Sequence, residues 1–400
     1  MQQNTTSRLA RPHFDWPLCL TAYALALFGV LAVTITNFNP ALGLDRSLLQ
    51  LVIDSPNGRL QAIFVLITPI ALGGMMTLSY QFLRRIWPLM YAVILILLAT
   101  VLLTEAIAGT RGWFTIFLDR TIQPSELAKV VIILSLSSEL SRHPKSIPNF
   151  RYFIRICLHV GVPLLLIVAQ PDIGTALVFI VITMTLLLIS GCSMKLWWGI
   201  VVVGVVACIP LGLYLQSTND FRWMRLMSFL DPRNDTTGSG FQIINSEIAV
   251  GSGGLYGVGM FTEGTMTQLN FVPENHTDFI FSAIGETMGF QGCALLLLLY
   301  AFLFFRMLRL AMHTPDRYGR LVIMGVMSML LFHVFENVGM NIGVMPITGI
   351  PLPFISYGGT NLIANMAGIG LVLNVTQRKQ GARRAVVKTR KRARLRTQSA

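Results

Sequence analysis

The chain has 400 residues, of which 54% are hydrophobic and only 12% charged, and its net charge is +13. Soluble domains carry about 25% charged residues. Here apolar runs recur at close to the twenty or so residues that cross a bilayer, which excludes a soluble multidomain protein. Nucleic acid is excluded as a partner by where the charge lies. Ten of the 31 basic residues fall between Arg378 and Arg396 with no acidic residue among them, the pattern of a cytoplasmic membrane face that meets anionic lipids.

In chain order, spans are expected at 17–38, 60–80, 87–108, 124–140, 156–171, 173–191, 197–216, 278–304, 321–345 and 351–375. The first run is long enough to cross and has no A-x-A-like cleavage site after it, so no cleavable signal peptide is expected. The fourth span is short and contains Glu126, Lys129 and Glu139. Between the seventh and eighth lies a connection at about 217–277, far longer than ordinary loops and expected to be an ordered outer segment with short helices. The expected fold is an all-α polytopic membrane protein of about ten transmembrane helices with this long extracytoplasmic loop. Residues 1–16 read as a cytoplasmic N-terminal segment, 17–376 as the transmembrane domain and 377–400 as a basic cytoplasmic tail. With both termini inside, 23 of the 31 basic residues face the cytoplasm and seven face outward, as the positive-inside rule requires. Acidic residues fall mainly on the outer side or within spans. The five cysteines have no metal-ligand spacing and lie in or beside apolar runs, so neither a zinc site nor a disulfide is expected.

Four stretches carry polar groups that apolar spans do not need. Gln123-Pro-Ser-Glu-Leu-Ala-Lys129 puts Glu126 and Lys129 three apart on one helical face. They read either as a structural ion pair or as an anion site, with Lys129 facing a phosphate and Glu126 fixing it. Gln170-Pro-Asp-Ile-Gly-Thr175 is a tight turn in which Asp172 caps the next helix or faces a ligand. Phe271-Val-Pro-Glu-Asn-His-Thr-Asp-Phe-Ile-Phe281 packs Glu274, His276 and Asp278 where the long loop enters a span. There Thr277 or an acid can cap the helix, or a half-buried carboxylate can take a proton. Pro346 to Thr360 holds three prolines and three glycines, which no regular helix tolerates. Such backbone at membrane depth is buried in protein or lines a cavity, and Ser356 with the amides near Gly358 and Gly359 can donate to a ligand. The run Gly251 to Gly259 matches neither a dinucleotide nor a P-loop pattern and reads as flexible turns. Arg222 and Arg225 are candidates for an outer phosphate. The histidines other than His276 read as structural.

These motifs, in this order, resemble the SEDS family (shape, elongation, division, sporulation) of RodA and FtsW proteins, over about residues 17–376. The resemblance rests on QPSELAK, QPDIGT, FLDP with GSGGLYGVG, PENHTDFIF and GIPLPFISYGG together. It implies a ten-helix peptidoglycan glycosyltransferase in the plasma membrane of a bacterium. Such an enzyme polymerises lipid II on the outer face beside a class B penicillin-binding protein transpeptidase. It implies Asp278 as the catalytic acid, and Glu126, Lys129, Asp172 and Ser356 as polar cavity positions. Trp113 matches the aromatic that precedes QPSE, although the family's Arg-Trp here reads Arg111-Gly-Trp113. The stretch Gly264 to Phe271 looks like the elongation type. The chemistry fits the residues. A base deprotonates the acceptor 4-hydroxyl, and Lys129, a divalent cation (magnesium or manganese) or an outer arginine offsets the leaving pyrophosphate. The sequence has no dedicated metal cage. Rival readings are a lipid II flippase, which favours matched broken helices in two halves, and a non-catalytic scaffold for cell-wall enzymes.

Overall fold

The computed structural model describes residues 14–38, 46–106, 110–116, 120–143, 149–218, 220–235 and 238–398, with side chains to Arg378 apart from those of Ile116 and Arg120. Lys145 and the basic tail's side chains beyond Arg378 lie outside the described residues, as do Arg8 and Arg11.

Seven helices are long and apolar enough to cross a membrane. They are α1 (Trp16–Thr36), α3 (Pro56–Thr77), α4 (Tyr80–Thr100, extended by a 3-10 turn to Leu103), α6 (Phe150–Ala169), α8 (Met194–Ser217), α11 (Ile280–Met312) and α12 (Arg317–Asn341). Three more complete the ten: α5 (Pro124–Arg142), the short apolar α7 (Ile173–Ile189) and α13 (Gly359–Gln398). Short helices α2 (Leu48–Asp54), α9 (Phe221–Leu230) and α10 (Ser239–Ser252) lie between them. The long connection thus contains the short helices expected of it.

Burial sorts the helices into centre and rim. Two thirds of the apolar window of α1 and of α12 is buried, and none of that of α8. Helix α5 carries four charged residues, of which Glu126, Lys129 and Glu139 are buried by neighbouring helices and so shielded from lipid, while Arg142 is exposed in its last turn.

Three departures from expectation have local causes. Helix α4 starts at Tyr80, seven residues early, because the Ser79 hydroxyl accepts the Phe82 amide and caps it. Arg84 and Arg85 therefore sit on the helix and not in a loop. The last helix begins only at Gly359, since Phe354 at φ 68° and Gly358 at φ 156° hold the backbone after Pro351 and Pro353 outside the helical region. A small antiparallel hairpin, β1 (Phe114–Ile116) with β2 (Arg120–Ile122), precedes α5 in an otherwise helical chain.

The glycine run is packed and not flexible. Val258 and Gly259 amides donate to the Glu286 and Thr287 carbonyls of α11, and the Phe290 and Gln291 amides donate back to Gly254 and Leu255. At this contact α11 is kinked, with Gly289 at φ 64°. A Cβ on Gly253 would stand 1.9 Å from the Gly285 carbonyl oxygen, and one on Gly257 would stand 2.3 Å from that of Thr287. Glu286 clamps the next turn, accepting the Met266 amide at 2.6 Å and the Thr267 amide at 2.8 Å.

Gly257→Val should therefore cost about 1–3 kcal/mol through overpacking and roughly a further 1–2 kcal/mol through its left-handed backbone. Gly251→Val, where nothing stands within 4 Å of the added Cβ, should be nearly neutral to packing. Thermal unfolding of the two purified variants checks the contrast.

Candidate functional site

The broken segment 342–358 lies at membrane depth. Gly29, some thirteen residues along α1 and so about 20 Å from its start, packs against the Phe354 and Ile355 backbone. Side chains satisfy what the missing helix leaves unpaired. The Asn337 amide donates at 2.8 Å to both the Ile350 and Asp278 carbonyls. Gln61 donates to the Ser356 carbonyl at 3.2 Å and accepts the Gly358 amide at 3.4 Å. Ser356 accepts the Leu352 amide at 2.8 Å and donates to the Thr277 carbonyl. The Ser356 hydroxyl and the Gly358 amide, read from sequence as donors to a ligand, are thus committed within the fold.

The same bonds seat the acidic motif. The Tyr357 amide donates to the His276 carbonyl at 2.9 Å, and the two rings lie 5.7 Å apart. Asn341 donates to the Asp278 carbonyl at 3.0 Å while its own oxygen accepts the Ser282 amide at 2.9 Å. A residue of α12 therefore caps α11. The N-cap position is Phe279, with no side-chain cap of its own, and Thr277 instead donates to Glu274. The capping reading, by Thr277 or an acid of the motif, does not hold here, and it is Asn341 that takes the Ser282 amide. Asp278 is half-buried, and among the described residues no hydrogen bond ties its carboxylate. Gly349, at φ 74°, turns its Cα toward that carboxylate, so that a Cβ there would lie 3.6 Å from Oδ2. Burial, reinforced by the Glu274 charge and opposed by Arg225, pushes the Asp278 carboxyl up to about 6. Burial also holds the His276 imidazole below its ordinary value, with Glu274 pulling the other way. Glu274 is exposed, at φ 55°.

A second polar centre lies within the bundle. Lys129 donates to Glu126 at 2.8 Å and stands 2.9 Å from His333 Nε2. The three are 2%, 4% and 1% exposed. His333 Nδ1 sits 2.6 Å from the Met329 carbonyl. A carbonyl only accepts, so Nδ1 carries the proton and Nε2 accepts from Lys129. Asn361 donates to the other Glu126 oxygen at 3.0 Å. His333, read as merely structural, thus completes the Lys129 environment. In α12, His333, Glu336, Asn337 and Asn341 recur at helical spacing within one span, a signal of a functional face that was available from sequence.

Asp172 lies near the Glu126–Lys129 pair, whose charges both act on it. It caps α7 by accepting the Thr175 amide at 2.9 Å, and it accepts the Gln123 side-chain amide at 3.0 Å. Burial raises its carboxyl, against the Thr175 bonds and the Lys129 charge. Gly112 packs near Gln123 and Gln170, which brings Trp113 to the same end. Arg222 is paired with Asp220 at 2.8 Å, and Arg225 lies over the Phe221 ring. Among the described residues no three His, Cys, Asp or Glu side chains converge to hold a metal.

Fold and site together define a polytopic helical membrane protein with an uncommitted carboxylate at the mouth of a polar bundle. The FtsW, RodA and SpoVE cell cycle protein family matches residues 17–381, and the chain belongs to that family. It is 40% identical to the peptidoglycan glycosyltransferase MrdB of Escherichia coli K12 over 73% of this chain and 78% of that one. A chain of a solved peptidoglycan synthase complex superposes with TM-score 0.72 at 29% identity, covering 92% of this chain and 98% of that one. The rod shape determining protein RodA of Thermus thermophilus superposes with TM-score 0.66 at 27% identity, covering 91% and 96%.

Removing one partner of a buried ion pair costs about 3–5 kcal/mol. Lys129→Ala and Glu126→Ala should each lose thermal stability on that scale, and the double variant should recover part of the loss. An unchanged Tm with lost turnover in Lys129→Ala would place Lys129 against substrate instead.

Proposed function

We propose that this chain is a peptidoglycan glycosyltransferase that polymerises lipid II at the outer face of the bacterial plasma membrane during elongation, with Asp278 as general base. Family membership and the 40% identity to MrdB support the reaction class. The observation that carries the residue assignment is the Asn341 cap, which leaves the Asp278 carboxylate free at the helix mouth. In the proposed step Asp278 takes the proton of the acceptor 4-hydroxyl. That oxygen bonds to the donor anomeric carbon with inversion, and the bond from that carbon to the lipid pyrophosphate breaks. Glu274, His276, Asp172 and Trp113 are proposed to face substrate. Glu126, Lys129 and Ser356 are proposed to hold the framework, because their polar atoms are already paired and buried. A class B penicillin-binding protein is the proposed partner, supported by the likeness to a chain of a synthase complex. Anionic lipids are proposed to bind the basic tail.

Asp278→Asn should insert and fold yet polymerise lipid II about 10² to 10⁴ times more slowly. Glycan formation by the purified variants measures this, and near-normal polymerisation would remove Asp278 from the mechanism. The working form of the base is the carboxylate, so kcat/KM should rise with pH through about 6. Glu274→Gln removes a charge that raises the Asp278 carboxyl, and should move that rise to lower pH.

Both termini are proposed to be cytoplasmic. An impermeant thiol reagent on intact cells should label Glu263→Cys and spare Arg390→Cys. The reverse pattern would invert the topology.

A further inference from the structure

We propose that residues Leu255–Met260, with Phe290 of α11, form an anchor seated in the lipid interface at the loop end of the bundle. The anchor would set the height of Asp278 above the hydrocarbon.

The glycine run ends in large apolar side chains that the protein leaves uncovered. Tyr256 is 74% exposed and Leu255 52%, with Val258 and Met260 also exposed, and the adjoining Phe290 is 65% exposed. The four backbone bonds between this loop and Glu286–Gln291 hold these side chains level with that stretch of α11. Phe290 in turn heads a stripe of exposed residues, Leu297, Phe305 and Leu308, which recur at helical spacing down the same face. That stripe belongs to a membrane-crossing helix, so its surroundings are lipid. The loop patch continues it without a break.

The depth follows from length. At the other end of α11, Arg306 pairs with Asp15 at 2.6 Å, and Asp15 caps the start of α1, which marks a water boundary. A hydrocarbon core of about 30 Å takes about twenty helical residues. Counting back from Arg306, the unbroken helix reaches Phe290, about 24 Å away, just before the kink at Gly289. The stretch bonded to the glycine run therefore lies at the opposite boundary. Irregular backbone exposed to lipid is not tolerated within the hydrocarbon, whereas Tyr and other amphipathic or apolar side chains favour the headgroup level. Asp278, whose carbonyl is bound by Asn341 at the end of the 25-residue α12, about 37 Å long and so longer than the hydrocarbon core, stands at the headgroup level, where lipid-borne phosphates and sugars lie. The anchor does not depend on the chemical role of Asp278.

The test is the depth of a nitroxide at Tyr256→Cys in the full chain, reconstituted in vesicles of three parts phosphatidylcholine to one part phosphatidylglycerol. Glu263→Cys serves as the water reference and Phe302→Cys as the hydrocarbon reference. Label-treated wild type gives the background from native thiols. Collision rates with oxygen and with a water-soluble nickel chelate should place position 256 between the two references. Nickel access at 256 equal to that at 263 would overturn the proposal, since the patch would then stand in water. Protection from both reagents would overturn it in favour of a protein partner covering the patch.

Discussion

Seventeen residues of irregular backbone between α12 and α13 lie among membrane-crossing helices, and their polar groups must be paired inside the protein. An unpaired amide or carbonyl in hydrocarbon costs several kcal/mol. That requirement organises the loop end of the molecule. Asn337, Gln61 and Ser356 supply bonds to the segment, and Asn337 and Ser356, together with Asn341, also bind the backbone of the acidic motif. The loop that carries Asp278 is therefore held by the same side chains that make the broken segment possible. Neither can move without exposing the other.

Helix α12 carries this arrangement between the two polar centres. His333 faces Lys129, Glu336 takes the Thr348 hydroxyl, and Asn337 and Asn341 take the Asp278 carbonyl. These positions span just over two turns of one helix. A shift of α12 along its axis would disturb the buried ion pair and the acidic motif together. The fully buried fit of Lys129 means that its charge is balanced by Glu126 at contact distance, so what reaches Asp172 is a local dipole more than a free cation. This supports the proposed framework role of the pair over that of an open anion site.

Much of the architecture was legible because each span needs about twenty apolar residues and the prolines of 346–353 have no helical solution. The start of α4 is not legible, because Arg84 and Arg85 lower the hydropathy ahead of Trp87 and look like a loop, while the Ser79 cap that overrides them is a three-residue signal. The glycine run was misread as flexible because sequence shows small residues but not what fills the space they leave. Here that space is filled by the backbone of α11. His333, Glu336, Asn337 and Asn341 form a polar face legible in the sequence, but the partner of His333 is not, since only the fold brings Lys129, 204 residues away, beside it.

The choice between capping and chemistry for Asp278 turned on a residue outside the motif. An aspartate just ahead of a helix is drawn to the free amides of the first turn, and a carboxylate so engaged is stabilised in its charged form and loses basicity. Asn341 occupies the Ser282 amide from the side, and a neutral amide oxygen can do this without bringing another charge. Burial and Glu274 then raise the proton affinity of Asp278 against the opposing charge of Arg225. The proposed base thus owes its proton affinity to this combination: a carboxylate close to a helix terminus, yet excluded from it by a neutral competitor on a neighbouring helix.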